Sequence, residues 1–376
     1  MKRANLSCGD MNRPALAASC CLPVILLGLF FFGCQDKKPA PAKNLRPIID
    51  SHVHVTPLND SVARAIEIFD KNGITKFCTK SAGFVGSGRF NATLRVKQQL
   101  GERFAFFCNL DWRGIDNPAW PEREAMRLAR AAQLGARGLK IFKNLGLGVR
   151  TADGKLLAVD DPRLDPIMQK AAELGMIVAL HTTDPKVFFD KPDPANERYM
   201  ELLFAPSWSF YGKDFPTRAT LFEARNRLLA KHPKTTFLGI HLANNPEDID
   251  YVDKLLDDYP NLYVDISARI PEIGRHPAEK VRRFFIKHQN RILFGSDIVV
   301  SPGRLQLGSL SILPDDDSDA DRFFQAHREF FETDHKHIDH PTPIQGYWTV
   351  DAIKLPEDVL QKFYVENAQI LIWKKK

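Results

Sequence analysis

From residue 46 onward, short apolar runs alternate with stretches whose apolar residues recur every three or four positions. The apolar runs predict strands at Pro47–His54, Thr75–Thr79, Phe104–Leu110, Gly138–Phe142, Met176–His181, Thr236–His241, Leu262–Ile266 and Ile292–Asp297. Helices are predicted between them at Ser61–Lys71, Pro121–Leu134, Asp165–Leu174, Thr217–Lys231, Pro246–Asp258 and Pro277–His288. In the fifth of these, Ile249, Val252, Leu255 and Leu256 make one apolar stripe. Strands alternating with helices are the pattern of parallel βαβ units. Eight of them predict a closed (β/α)8 TIM barrel rather than an open doubly wound sheet, and no glycine-rich phosphate loop follows the first strand.

Two long insertions interrupt the spacing. Thr182–Pro216 follows the fifth strand and is rich in aromatics, among them Trp208, Phe210 and Tyr211. Val299–Leu355 follows the eighth strand and contains the acidic run Asp315–Asp321, expected as a solvated loop. Both leave the C-terminal ends of strands, where barrel enzymes build their sites. Loops of this length act as lids or binding walls.

Residues 1–33 do not belong to this pattern. Lys2, Arg3 and Arg13 precede an apolar run, Leu22–Gly33, that is shorter than the ~20 residues a membrane-spanning helix needs. The run ends in Phe31-Phe32-Gly33-Cys34, and a polar linker occupies 34–45 before the domain at 46–376. This resembles a bacterial lipoprotein signal cleaved before Cys34, although Phe31 and Phe32 depart from its usual Leu and small residue. The resemblance implies export to the cell envelope or periplasm, with a membrane anchor through lipid on Cys34. Cys8, Cys20 and Cys21 would leave with the signal, so Cys78 and Cys108 remain and read as small buried hydrophobes. The formal net charge is +6, of which +2 lies in residues 1–33; no later stretch gathers a basic stripe, which argues against nucleic-acid binding.

The candidate chemistry lies at strand ends. In Asp50-Ser51-His52-Val53-His54 the two histidines are two residues apart, so both point into the barrel and can grip one metal ion. The fifth, sixth and eighth strands end in His181, His241 and Asp297. Ionisable groups at the ends of buried strands are costly unless paired, hydrogen-bonded or bound to metal. Four such strands together point to a metal site.

This pattern resembles the amidohydrolase superfamily, in particular the amidohydrolase-related family that includes hydrolases, lactonases and non-oxidative decarboxylases. Gly135-Ala-Arg-Gly-Leu-Lys140, Asp160–Asp165 and Glu366-Asn-Ala368 look familiar in the same way. The resemblance implies that His52, His54, His181 and Asp297 hold a divalent metal. His241 would either polarise a substrate carbonyl or bind a second ion. In binuclear relatives a fourth-strand lysine, here Lys140, is carboxylated and bridges two ions; the alternative is an electrostatic contact to substrate. The mixed ligand set suits Zn²⁺ best, with Mn²⁺ or Fe²⁺ as alternatives. Water activated by such an ion would attack the substrate, with Asp297 carrying its proton to the leaving group.

The expected function is hydrolysis of an amide, ester or lactone bond of a small organic molecule. Decarboxylation of an aromatic or unsaturated acid is the runner-up, and a non-catalytic lipid-anchored binding protein is a third reading. Arg269 is expected to hold a substrate carboxylate or to pair with an Asp, Asn244 to line the site or cap a helix, and Trp208 and Tyr211 to wall the pocket. Asp265 is a candidate hydrogen-bond anchor. His335, His337 and His340 read as a solvated loop over the barrel mouth. The sequence leaves a homo-oligomer open.

Overall fold

The computed structural model describes residues 45–310 and 313–374. The expected signal, Cys34 and all but the last residue of the linker lie outside the described residues. Strand β1 (Ile48–Val55) pairs in parallel with β2 (Ile74–Thr79), and the parallel order continues outward. It runs through β3 (Phe104–Cys108), β4 (Gly138–Ile141), β5 (Ile177–Leu180), β6 (Thr236–Gly239), β7 (Leu262–Asp265) and β8 (Ile292–Leu293). These strands are buried on both faces, as parallel strands covered by helices must be.

The eighth barrel strand is split. β8 pairs with β7, and the chain then leaves strand geometry through Phe294–Asp297. It resumes as β9 (Ile298–Ser301), which pairs in parallel with β1. Ser51 N–H donates to Phe294 O at 3.0 Å and Asp297 N–H to His52 O at 2.9 Å, so the ring closes across this interruption. β9 turns back into β10 (Arg304–Leu307), an antiparallel hairpin on the barrel rim.

The barrel interior is filled by Ile49, Cys78, Ala105, Phe107, Ile177, Ala179, Leu238, Ile240 and Leu293, with Ile372 and Trp373 packed on them. Gly138 is required there. A Cβ at that position would lie 2.5 Å from the Phe107 ring and 2.5 Å from Ile177 O. Outside the ring a larger cluster joins the outward strand faces to the helices. One of these helices, Gly88–Leu100, buries only Phe90, Ala92, Thr93 and Val96, too narrow a stripe to stand out in the sequence pattern.

The acidic run is not a solvated loop. Asp316 caps the helix Asp317–Glu332, its carboxylate accepting from Ser318 N and Asp319 N while Asp319 reaches back to Asp316 N. Carboxylates in the first helical turn also suit the positive end of the helix dipole. Beyond the helix a two-stranded sheet, β11 (Ile338–Asp339) with β12 (Thr349–Val350), holds the segment that returns over the barrel mouth.

Candidate metal centre

His52 and His54 share the inner face of β1, and Asp297 arrives from the interruption in the eighth strand. One ligand-type atom from each of the three lies within 4.8 Å of the others. His54 Nε2 is 3.3 Å and His52 Nε2 3.5 Å from Asp297 Oδ1, and His241 Nε2 is 4.0 Å from Asp297 Oδ2. The His181 ring stands 4.7 Å from that of His241 but outside the tight group of three; its Nε2 is 3.4 Å from Asp184 Oδ1.

Asp265 and Ser267, at the end of β7, orient the imidazoles. Asp265 Oδ2 lies 3.0 Å from His52 Nδ1, while Oδ1 accepts from His241 N–H at 3.0 Å and from Ser267 Oγ at 2.6 Å. His241 Nδ1 lies 2.7 Å from Ser267 O. A carboxylate and a carbonyl only accept here, so both Nδ1 atoms carry the proton and both Nε2 atoms keep a lone pair. Burial drives His52 and His241 well below the usual imidazole range, and His181 down to about 4. Burial works against ionised Asp297, but His52, His54 and Lys140 outweigh it and hold the carboxyl low. Neutral imidazoles and an ionised carboxylate are the protonation states a divalent cation binds. His52 Nε2 is buried without a hydrogen-bond partner, which leaves its lone pair for such an ion. The Asp265–His52 pair is the carboxylate–histidine arrangement that orients metal ligands elsewhere. The residues therefore fit a divalent metal.

Backbone of unusual handedness presents these groups. The strand predicted to run to His241 ends at Gly239, and His241, Leu242, Ala243 and Asn244 all have positive φ, between 52° and 59°. Left-handed conformation costs ~1–2 kcal/mol per non-glycine residue, so the turn persists only where its surroundings hold it. Buried Arg225 donates to Ala243 O at 2.5 Å and Arg218 to Asn244 O at 2.9 Å. Asn244 Oδ1 accepts from Thr182 N–H at 2.8 Å. Asp297 is likewise left-handed, φ 61°. An Ile, Val or Leu run cannot signal such turns, and Arg218 and Arg225 look like ordinary helix residues in the sequence.

A cleft of about 430 Å³ opens over this group. Lys140, Arg269 and Trp208 line it; Lys143, on the opposite strand parity to Lys140, lines it too, and Asp184, Glu201, Ser309 and Gln345 do so without having been singled out. Lys140 is 1% exposed, and burial pulls its ammonium down to about 7. Lys143 pairs with Asp184 and sits 4.8 Å over the Trp208 ring. Arg269 donates to Ala268 O at 2.8 Å and forms no ion pair among the described residues. Two of the expected substrate contacts, Asn244 and Tyr211, are not among the residues lining this cleft. Asn244 Oδ1 accepts from Thr182 N–H while its Nδ2 is buried without a hydrogen-bond partner, and Tyr211 is 49% exposed. The insertion is anchored instead by buried Arg198, which bonds Glu201 at 2.8 Å and also Glu272, while Ser309 donates to Glu201. The histidine tract is dispersed: His335 bonds Glu329 at 2.9 Å, His337 is exposed, and His340 is buried, 3.1 Å from Gly346 O.

A family profile described as Amidohydrolase matches residues 49–371, and the chain belongs to that family. Its members are metal-dependent hydrolases and decarboxylases of small molecules. No curated protein matches the chain. Among solved structures it is similar to 2,6-dihydroxybenzoate decarboxylase from Rhizobium, at 14% identity over 88% of this chain and 99% of that one, TM-score 0.51. It is also similar to a Staphylococcus aureus protein assigned to the amidohydrolases, at 13% identity over 88% and 100%, TM-score 0.51. At these identities the likeness concerns the fold, the barrel described above.

Proposed function

We propose that this chain is a metal-dependent hydrolase that cleaves an amide, ester or lactone bond of a small organic substrate. The observation that carries the reading is His52, fixed through Nδ1 by Asp265, with its unpartnered Nε2 facing His54 and Asp297. His52, His54, Asp297 and His181 would hold one divalent ion, Zn²⁺ in first place; with a second ion, Lys140 and His241 would serve it. When bound, the ion lowers the pKa of water to about 7 and polarises a carbonyl. Asp297, ionised and at the centre of the group, takes the proton of the attacking water and returns it to the leaving group. Neutral His241, with Nδ1–H held by Ser267 O, offers a lone pair and accepts rather than donates. The polarising of a substrate carbonyl, which the resemblance implied for His241, therefore passes to Lys140 and Arg269, which would also steady the developing oxyanion.

The test is a panel of esters, lactones and amides with chelated and metal-restored protein. Acid release that vanishes on chelation and returns with Zn²⁺, Mn²⁺ or Fe²⁺ is expected. Release of CO₂ from an aromatic acid without hydrolysis of any panel member overturns the reading. That second activity is favoured by one feature, an aromatic wall of Phe142, Phe188 and Trp208 facing Lys140 and Arg269 in the same cleft.

The signal-like start and Cys34 support export and lipid attachment. Metabolic labelling with palmitate in wild type but not in Cys34→Ala is the expected result, and equal labelling refutes it.

A further inference from the structure

We propose that Gln345 reads the substrate, and that the group it reads is an amide edge, an N–H donor beside a carbonyl acceptor. The inference rests on the hydrolase reading and narrows it toward amides. Gln345 lines the cleft and is 1% exposed, yet its Oε1 is buried without a partner and its Nε2 donates to nothing among the described residues. A primary amide offers two donors and an acceptor. A buried amide that meets none of them is matched by solvent or by a ligand.

The residue is held rigidly. It ends the tight turn Pro343–Gln345, where its N–H donates to Thr342 O at 3.0 Å and Gly346 N–H to Pro343 O at 3.1 Å. His340 Nε2 lies 3.1 Å from Gly346 O, and Trp348 Nε1–H donates to Pro271 O at 2.9 Å, pinning the turn to the loop after β7. Gly346 has φ 153°, and a Cβ there would fall 1.7 Å from the Trp348 ring. Such fixing is what a recognition group needs and a solvent-facing loop does not.

The rest of the cleft indicates which complement is missing. Lys140 and Arg269 already supply donors, so acceptors on a substrate are provided for. Acceptors are scarcer: Asp184 is engaged by Lys143, and Glu201 by Arg198 and Ser309. Besides Gln345, Asn144 Oδ1 is a buried acceptor without a donor on the cleft wall. A carboxylate, ester or lactone would satisfy only the N–H side of Gln345. An amide edge satisfies both sides, whichever way the side-chain amide is turned.

The probes are δ-valerolactam and δ-valerolactone, equal rings that differ by N–H for ring oxygen. Binding is read by ligand-observed NMR with chelated and with Zn²⁺-loaded protein. Wild type should bind the lactam about tenfold more tightly, the scale of one hydrogen bond. Gln345→Met, similar in volume but without the amide, should abolish that preference in both forms while its Tm stays level or rises. A large fall in Tm would instead make Gln345 structural and overturn the proposal. Equal binding by wild type, no lactam binding, or a preference that survives in Gln345→Met also overturns it. Lactam preference in a protein that hydrolyses nothing with any divalent ion refutes the hydrolase reading and leaves the role of Gln345 standing.

Discussion

The left-handed turn behind His241 allows a quantitative test at Ala243. Glycine there removes a left-handed penalty of ~1–2 kcal/mol. Against that stand a lost buried methyl, about 0.8 kcal/mol, and added freedom of the unfolded chain, about 0.4–1 kcal/mol. The three nearly cancel, so Ala243→Gly should leave stability within about 0.5 kcal/mol of wild type. Ala171, equally buried in the regular helix Asp165–Glu173, is the control. Its change to glycine carries the same losses without the relief and should cost about 2 kcal/mol. Urea midpoints at unchanged m-value read the difference. Arg225→Met, which strips Ala243 O of its buried donor, should cost ~2–4 kcal/mol in wild type and less in the Ala243→Gly background. Activity should move apart from stability: the loosened turn holds His241 less firmly, so kcat/KM falls severalfold in Ala243→Gly although the midpoint does not. If Ala243→Gly destabilises as much as Ala171→Gly, the turn stores no strain and the reasoning fails.

Three further outcomes follow from the geometry. Asp265→Asn preserves shape but weakens the acceptor for His52 Nδ1–H; metal affinity, measured by chelator competition, should drop roughly 10–100-fold, and an unchanged affinity removes Asp265 from the centre. His327 is 1% exposed, and burial lowers its pKa from 6.5 to about 4. The unfolded chain therefore takes up this proton first. The contribution is complete above pH 6.5 and is lost at ~1.4 kcal/mol per pH unit on descending toward 4. His327→Gln should flatten that part of the stability profile, and an unaltered slope counts against it. Gly346→Ala would drive a methyl into the Trp348 ring and should cost ~2–4 kcal/mol in unfolding experiments, with loss of the lactam preference; a neutral change would mean the turn yields easily.

The barrel was legible because its signals are local. A parallel strand buried on both faces is a short apolar run, and Ile177–Leu180 or Leu262–Asp265 could be little else between two amphipathic stretches. The same rule fails at Phe294–Asp297. Those residues follow the apolar Ile292–Leu293 and read as the end of the same strand, yet the backbone leaves strand geometry so that Asp297 can turn inward while β9 resumes the pairing with β1. Hydrophobic period records which face is covered, not the handedness of a single residue. The acidic run shows the complementary failure. Seven polar or small residues read as loop, but two of them, Asp316 and Asp319, form a helix cap whose partners are backbone N–H groups, and capping follows position rather than composition.

Within the candidate site, residues fixed by strand parity were legible, and residues fixed by loops were not. His52 and His54 had to share a face once β1 was recognised, and a carboxylate at the end of β7 could be named as an anchor before its partner was known. Asn244 and Tyr211, expected near the substrate, do not line the cleft. Proximity in sequence to a site residue says nothing about direction where the chain takes a left-handed turn, as it does at Asn244. Gln345 lies 104 residues beyond His241 in the sequence, reaches the cleft through a turn set by His340, Gly346 and Trp348, and belongs to no periodic pattern. The barrel decides where a metal can sit, and the two insertions decide which polar atoms remain unmatched above it. Because unmatched atoms in a rigid cleft define the ligand that completes them, substrate preference should respond to changes at Gln345 and Asn144 and metal affinity to changes at Asp265. The two responses should be separable in a double mutant, since the residues share no hydrogen-bond partner.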